Sequence, residues 1–410
     1  MSSRYKLLGL IWLLQFVNYL DRVNISVAAP SMMKSLAIDP GLFGFVLSAF
    51  TIGYATMQMP GGILADRFGA RAVLVCAPVL WSIFTGLTGL VESAAALVAV
   101  RFCFGLAEGS SNAACYKVVG DNFAPRERAH ANSVWITALA AGPAFVAPLA
   151  SWALRSVGWE NMFFLFSLPG LALAVVLWFG VPAKQSVHDT DGPITHARGW
   201  LWLLRRPTSW LIFFGYLSFN IGFWGYLGWM PSYLALQRHL DIKALGVAAS
   251  VPYMFGLIGI LVFGWLGSGA LYRFRAPLVA FGYVCAAGCL LIAFTAESVG
   301  ISLVGLTGAA FFMYGGFGPY ASLVLDLAPE RERGGFVGFV NTGGQLGGIV
   351  APIVIGYVVN ITGSFDDGFA FMVCALAVSA GCYLGLAYFI RAQASHPATV
   401  SPPLTGRGLT

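Results

Sequence analysis

The chain has 410 residues, of which 58% are hydrophobic and 10% charged, with 50 glycines and a formal net charge of +6. Soluble domains carry about a quarter charged residues, so this composition excludes an ordinary soluble enzyme and points to a polytopic membrane protein. The excess of Lys and Arg falls in loops between apolar runs, where it reports membrane topology and not nucleic-acid binding.

With about 1.5 Å of rise per residue set against about 30 Å of hydrocarbon, a crossing helix needs about 20 apolar residues. Twelve such runs follow one another, at residues 7–33, 41–65, 71–91, 94–119, 130–154, 160–182, 208–235, 244–268, 276–294, 299–324, 335–358 and 367–390. The first continues past any short signal-peptide core without a small-residue cleavage site, so it is expected to be retained. With both termini cytoplasmic, the inner loops collect sixteen Lys and Arg, among them Arg67, Arg71, Arg126, Arg128, Lys184, Arg198, Arg273, Arg331, Arg333 and Arg407. The outer loops hold only Lys34, Arg155, Arg238 and Lys243, and the positive-inside rule selects this orientation. The seven cysteines, at 76, 103, 115, 285, 289, 374 and 382, all fall inside runs and read as small buried apolar residues.

Two segments recur at a common offset. "FAPRER" begins at Phe123 and "LAPERE" at Leu327, while "VAP" occupies 146–148 and again 350–352. The shared offset near half the chain length predicts duplication of a six-helix unit. Residues 183–207, containing Lys184, His188, Asp189, Asp191 and His196, form the long non-apolar interruption and are expected to link the halves. The organisation expected is therefore a bundle at 1–182, a cytoplasmic linker at 183–207, a second bundle at 208–391 and a cytoplasmic tail at 392–410.

Polar signals lie at particular places in this frame. In the first run, "FVNYLDRVNISVAA" places Asp21 and Arg22 side by side in a segment with no other charge between Leu7 and Met33. After the second run comes "GGILADRFGAR", a tight turn bearing Asp66, Arg67 and Arg71 between Gly62 and Gly69 on one side and the third run on the other. The fourth run contains "RFCFGLAEGSSNAACYK", in which Arg101 and Glu108, seven residues apart, share a helical face about 10 Å long. Such a face cannot sit against lipid.

The turn resembles the loop signature GxLaDrxGxr of the major facilitator superfamily, matched at Gly62, Leu64, Ala65, Asp66, Arg67, Gly69 and Arg71. Arg101, Gly105, Glu108 and Gly109 are similar to that superfamily's RxxxGxxEG pattern. "NYLDRVNISVAAP" at 18–30, Tyr54 to Gly62 with Gln58, and "NTGGQLGGIVAP" at 341–352 resemble its anion:cation symporter group, which holds carriers of sugar acids, aromatic acids and other organic anions. The resemblance implies an all-α integral membrane fold of twelve transmembrane helices in two pseudo-symmetric six-helix bundles, lodged in a cell membrane such as the bacterial inner membrane. It also implies a cytoplasmic gate at Gly62, Asp66, Arg67, Gly69 and Arg71. The second-half counterpart, "GWLGSGALYRF" from Gly264, keeps Gly264, Leu266 and Arg273 but has Ser268 where an acid is expected.

A charge at the centre of a membrane helix costs roughly 2.5–3.5 kcal/mol on the insertion scale, so four cost on the order of 10 kcal/mol. Of the seventeen acids only Asp21 and Glu108 fall deep within a run. One account makes the four charges structural ion pairs between helices one and four; buried pairs are weak evidence for stability, because apolar packing often does as well. The other makes Arg22 and Arg101 the anchor of an anion, since a guanidinium donates two parallel hydrogen bonds to a carboxylate. Asp21 and Glu108 then carry protons, because burial favours the neutral acid and a nearby arginine the ionised one. The five histidines lie at run ends, in loops or in the tail and are set aside. The second half offers uncharged lining candidates, with Asn341 and Tyr320 foremost, alongside Asn220, Trp224, Tyr226, Thr342 and Gln345; in the first half Tyr54 joins them through its motif.

The reading is a secondary carrier, not an enzyme, that imports an organic carboxylate with protons by alternating access, as a monomer and with no cofactor, metal or nucleic acid. A drug:proton antiporter is the rival; "AAGPAFVAP" keeps Gly142 and Pro143 of that group's GPxxGG motif but has Val146 and Ala147 in place of its glycine pair. Sodium-coupled and facilitative carriage stay open.

Overall fold

The computed structural model describes residues 3–124, 127, 131, 134–182, 205–328 and 333–395, without the side chains of 3, 66, 333, 334 and 393–395. Most of the 183–207 linker and the tail from 396 lie outside the described residues, with Arg126, Arg128, His130, Lys184, His188, Asp189, Asp191, His196, Arg198, Arg331, His396 and Arg407.

Every regular element among the described residues is helical. In chain order they are α1 (Ser3–Ser35), α2 (Pro40–Phe68), α3 (Ala70–Thr88), α4 (Ala94–Gly109), α5 (Ser111–Asn122), α6 (Ala138–Gly180) and α7 (Pro207–Ser232). There follow α8 (Ile242–Ser268), α9 (Arg275–Thr295), α10 (Val299–Gly315), α11 (Phe317–Leu327), α12 (Arg333–Thr362) and α13 (Asp366–Ser395). The paired helices α4–α5 and α10–α11 each make one crossing, Ala94–Asn122 and Val299–Leu327. The long α6 makes two, reversed at Gly158, whose φ of 81° suits a residue without a Cβ.

Twelve crossings result, as expected. Among the described residues ten helical stretches are long and apolar enough to cross a membrane when judged by hydropathy. That tally takes α6 once and omits α1. The omission has a physical cause: Gln15, Asn18, Asp21, Arg22 and Asn24 dilute α1, and all five are buried inside the protein instead of facing lipid.

The two ends of the bundle are capped differently. At one end Asp39, Ser93, Asp241 and Ser298 accept hydrogen bonds from the first turns of α2, α4, α8 and α10, satisfying backbone N–H groups that a helix leaves unpaired. At the other end the chain turns between α2 and α3 at Gly69, φ 84°.

Helix α2 packs on α4 and α12, α12 on α7, α1 on α6 and α7, and α8 on α6 and α10. Contacts between the first six crossings and the last six are tight towards the Asp39 end. There Ser48 Oγ donates to the Ile349 carbonyl at 2.7 Å, Phe43 meets Trp229 edge-on at 6.0 Å, and Gly44 lies against the Pro352 carbonyl with no room for a side chain. Further towards the Gly69 end Asn341 Nδ2 donates to Gln58 Oε1 at 2.8 Å. Beyond it the α2 side chains Met59 and Ile63 are exposed.

Arginines brace the Gly69 end in both halves, and the 204-residue offset of the repeat, from 123 to 327, carries position 71 onto 275. Arg71 donates to the Trp178 carbonyl and lies over that indole at 4.7 Å. Arg275 donates to the Gly267 carbonyl at 2.9 Å and pairs with Asp326 at 2.5 Å. The acid that pairs with Arg275 comes from the end of α11.

The α2–α4 crossing yields a stability prediction. A Cβ at Gly105 would stand 2.1 Å from the Phe50 carbonyl oxygen, whereas one at Gly62 would meet only Ala113 Cβ at 3.8 Å. Gly105→Ala is expected to destabilise by about 1–3 kcal/mol through overpacking and Gly62→Ala to be near neutral, read as thermal unfolding of the two purified variants in detergent.

Candidate functional site

The polar stripe of α1 divides over two faces because neighbouring residues on a helix point about 100° apart. Arg22 projects towards α4 and α7. Its Nη2 and Nε donate to Glu108 Oε2 at 2.7 and 3.1 Å, and its Nη1 donates to the Tyr19 hydroxyl at 3.2 Å. Aromatic rings surround the guanidinium: Tyr19 at 4.5 Å, Phe50 and Tyr54 both at 4.9 Å, and Trp224 of α7 at 5.6 Å. Each ring face adds cation–π attraction, which strengthens away from water. Both members of the ion pair are buried, with side-chain exposures of 4% and 0%. Glu108 Oε1 has no partner.

Arg101, one turn and more before Glu108 on α4, is 2% exposed. It lies over Phe104 at 4.5 Å and Phe50 at 5.2 Å, has an unpartnered Nε, and makes no hydrogen bond or ion pair among the described residues. Asp21 is 1% exposed and neither of its carboxyl oxygens has a partner. It lines a crevice between α1 and the two arms of α6, with Leu20, Ala153, Phe166 and Pro169. The two expected helix-one to helix-four pairs are therefore one, Arg22 with Glu108, leaving a buried cation and a buried acid without counter-ions in contact.

The remaining sequence candidates fall around this centre or away from it. Tyr54 is buried, lies against Arg22 and receives a hydrogen bond from Asn112 Nδ2, while Asn112 Oδ1 accepts from Gln15 Nε2 at 3.3 Å. Tyr320 is buried and stacks on Tyr216 at 4.2 Å. Asn341 ties α12 to Gln58 instead of reaching the arginines, and Tyr226 donates to the Leu306 carbonyl within the second half. Of the gate motif, Gly69 and Arg71 shape and brace the turn, Arg67 lies over Phe68 at 5.5 Å, and the Asp66 side chain is outside the description. Tyr19, Phe50, Asn112 and Tyr216 were not singled out in the sequence. Tyr19 could have been, since i and i+3 on a helix are neighbours; the other three join only through long-range packing.

What the arrangement can do follows from its donors. The Arg22 fork is occupied by Glu108 and Tyr19, while Arg101 retains all its donors for an anion. From the second half Trp224 meets Phe50 at 6.2 Å beside Arg22, while Tyr216 stacks on Tyr320 and its carbonyl accepts from Asn220.

Residues 11–352 match the Major Facilitator Superfamily. A probable sulfoacetate transporter of Cupriavidus necator is 31% identical over 403 residues, 92% of this chain and 93% of that protein. A hexuronate transporter of Bacillus subtilis is 29% identical over 95% of both chains, and a probable galactarate/D-glucarate transporter of Escherichia coli 28% identical over 93% and 94%. The fold is also similar, with a TM-score of 0.75 over 96% of each chain at 18% identity, to a crystal structure of a bacterial homologue of the human lysosomal transporter Spinster, inward-facing and unoccupied.

Removing one partner of a buried ion pair costs about 3–5 kcal/mol, because the other charge is left uncompensated. Arg22→Met and Glu108→Met are each expected to lower the unfolding temperature markedly. The double variant should recover most of that loss, as measured by a double-mutant cycle of thermal unfolding on purified protein.

Proposed function

The chain belongs to the Major Facilitator Superfamily, and on that premise we propose that it imports an organic acid anion together with protons by alternating access. The two halves, 1–182 and 208–391, move against each other about the central site. The observation that carries the reading is Arg101: a buried guanidinium with no hydrogen bond and no counter-ion, beside a second arginine whose fork is already filled. An unpaired buried charge is costly, and an incoming carboxylate or sulfonate relieves that cost.

Arg101 takes the anion first. The anion then competes with Glu108 for Arg22, and Glu108, once displaced, loses the cation that favours its ionised form and accepts a proton. Asp21, the other deep acid, carries a proton on the opposite face of α1. Anion and proton are thereby bound together, and the empty carrier turns back only when both acids have discharged. Tyr54 and Tyr320 line the path of the anion's body, and Asn341 with Gln58 closes it towards the Gly69 end. The Lys and Arg distribution supports a cytoplasmic position for that end, with Gly62, Asp66, Arg67, Gly69 and Arg71 as its gate.

The relatives are named for sulfoacetate, hexuronate and galactarate or D-glucarate, all anions with a polar body. These anions form the first panel for a thermal-shift screen, in which a ligand at 100 times its dissociation constant adds about 2.7 kcal/mol of stability. Arg101→Lys keeps the charge but loses the fork, and is expected to weaken binding roughly tenfold or more, about 1.4 kcal/mol, with folding retained. Equal affinity of wild type, Arg22→Lys and Arg101→Lys would remove the arginines from the site.

In vesicles with an imposed pH gradient, Asp21→Asn and Glu108→Gln are expected to stop net accumulation while exchange of labelled for unlabelled substrate persists, since exchange needs no return of the empty carrier. Accumulation driven by sodium and indifferent to pH in the wild type would overturn proton coupling.

A further inference from the structure

Asp21 lines a crevice that Arg22 does not, between α1 and the two arms of α6, and it also lies within electrostatic reach of the central charges of α4. The crevice side offers a proton a second approach to it.

The charged groups that face it are Glu108 and Arg101 of α4. The lining from α6 is apolar, and α3 brings the Trp81 indole.

From Trp81 a polar seam runs between α3 and α6 towards the Asp39 end. Trp81, Ser82 and Thr85 are 0%, 1% and 2% exposed, and Trp81 Nε1, Ser82 Oγ and Thr85 Oγ1 all lack a hydrogen-bond partner. A Cβ at Gly170 on α6 would stand 2.1 Å from Ser82 Oγ and 3.0 Å from Trp81 Nε1, which fixes both groups in the α3–α6 contact. One turn on, Gly86 abuts Ser167 of α6, and Gly89 abuts the Glu160 carbonyl at the end of the bundle. From Trp81 to Thr88 the helix climbs about 10 Å.

Packing alone does not account for the seam. A Ser or Thr hydroxyl on a helix can donate to the carbonyl four residues back, as buried Thr88 on the same helix does; Ser82 and Thr85 do not. An unsatisfied buried donor costs about 1–3 kcal/mol, and a line of them beside an unpartnered carboxyl suits water held between them.

We propose that Trp81, Ser82 and Thr85 of α3 line a proton path inside the first half that joins Asp21 to the Asp39 end, separate from the anion's route between the halves; Ser167 of α6, whose hydroxyl donates to the Phe164 carbonyl, flanks it. The hydroxyls and the water they hold form a relay. Each accepts one proton and passes on another, so that only O–H bonds form and break, and the last proton resides on Asp21; the indole N–H anchors the chain by donating to it. The path rests on the proton-symport reading above.

The test uses the whole protein reconstituted in vesicles, comparing pH-driven accumulation with labelled exchange. Thr85→Val, which is isosteric, and Ser82→Ala should each lose tenfold or more of accumulation with exchange within twofold of wild type, while Thr85→Ser restores accumulation. Full accumulation by both Thr85→Val and Ser82→Ala, alongside its loss in Asp21→Asn, would overturn the path and leave the symport reading standing. Full accumulation by Asp21→Asn would overturn the coupling role of Asp21 itself. Joint loss of accumulation and exchange in both hydroxyl variants would also overturn the path, by assigning the seam to structure.

Discussion

Everything in the first half is arranged around the need to hold the Arg22–Glu108 pair in a place where water cannot solvate it. Taking such charges out of water costs several kcal/mol each even after relaxation, and attraction repays that only with good geometry and further partners. The geometry here is one carboxylate oxygen gripped by two nitrogens of the guanidinium, and the further partners are the Tyr19 hydroxyl and a shell of four aromatic faces. Three helices of one half and one of the other must meet for that shell to close, so the site and the interface between the halves are one construction. Trp224 is the second half's contribution to it.

Much of this was legible in the sequence. Twelve apolar runs sufficed for twelve crossings because hydrocarbon allows a spanning helix no other way to satisfy its backbone. The four deep charges declared an interior face for the same reason. Gly69 could be placed in the turn between α2 and α3, with Arg71 just beyond it in the first turn of α3, from the motif's spacing.

Partner choice was not legible. Arg101 and Glu108 lie on one helix face at a spacing that suggests a shared role, yet Glu108 pairs across to α1, where the chain is 86 residues away. Asp21 and Arg22 are adjacent in sequence and face different neighbours, a result of helix geometry that only the packing of α3 and α6 makes consequential. In the second half Arg275 takes its counter-ion, Asp326, from 51 residues further on. The Gln58–Asn341 bond spans 283 residues and leaves no local trace.

Among the described residues the ties that draw α2 onto α12 are neutral: a serine hydroxyl on a carbonyl, a glycine against a carbonyl, and one amide on another. Parting and remaking such a seam moves no net charge through the membrane's electric field. A membrane potential acts at about 2.3 kcal/mol per elementary charge per 100 mV, and at this seam it finds nothing to act on. On the proposed reading, the charge for a membrane potential to act on is that of Asp21, Arg22, Arg101 and Glu108 and of what they carry, so the slope of current against potential would count the charge held by that cluster.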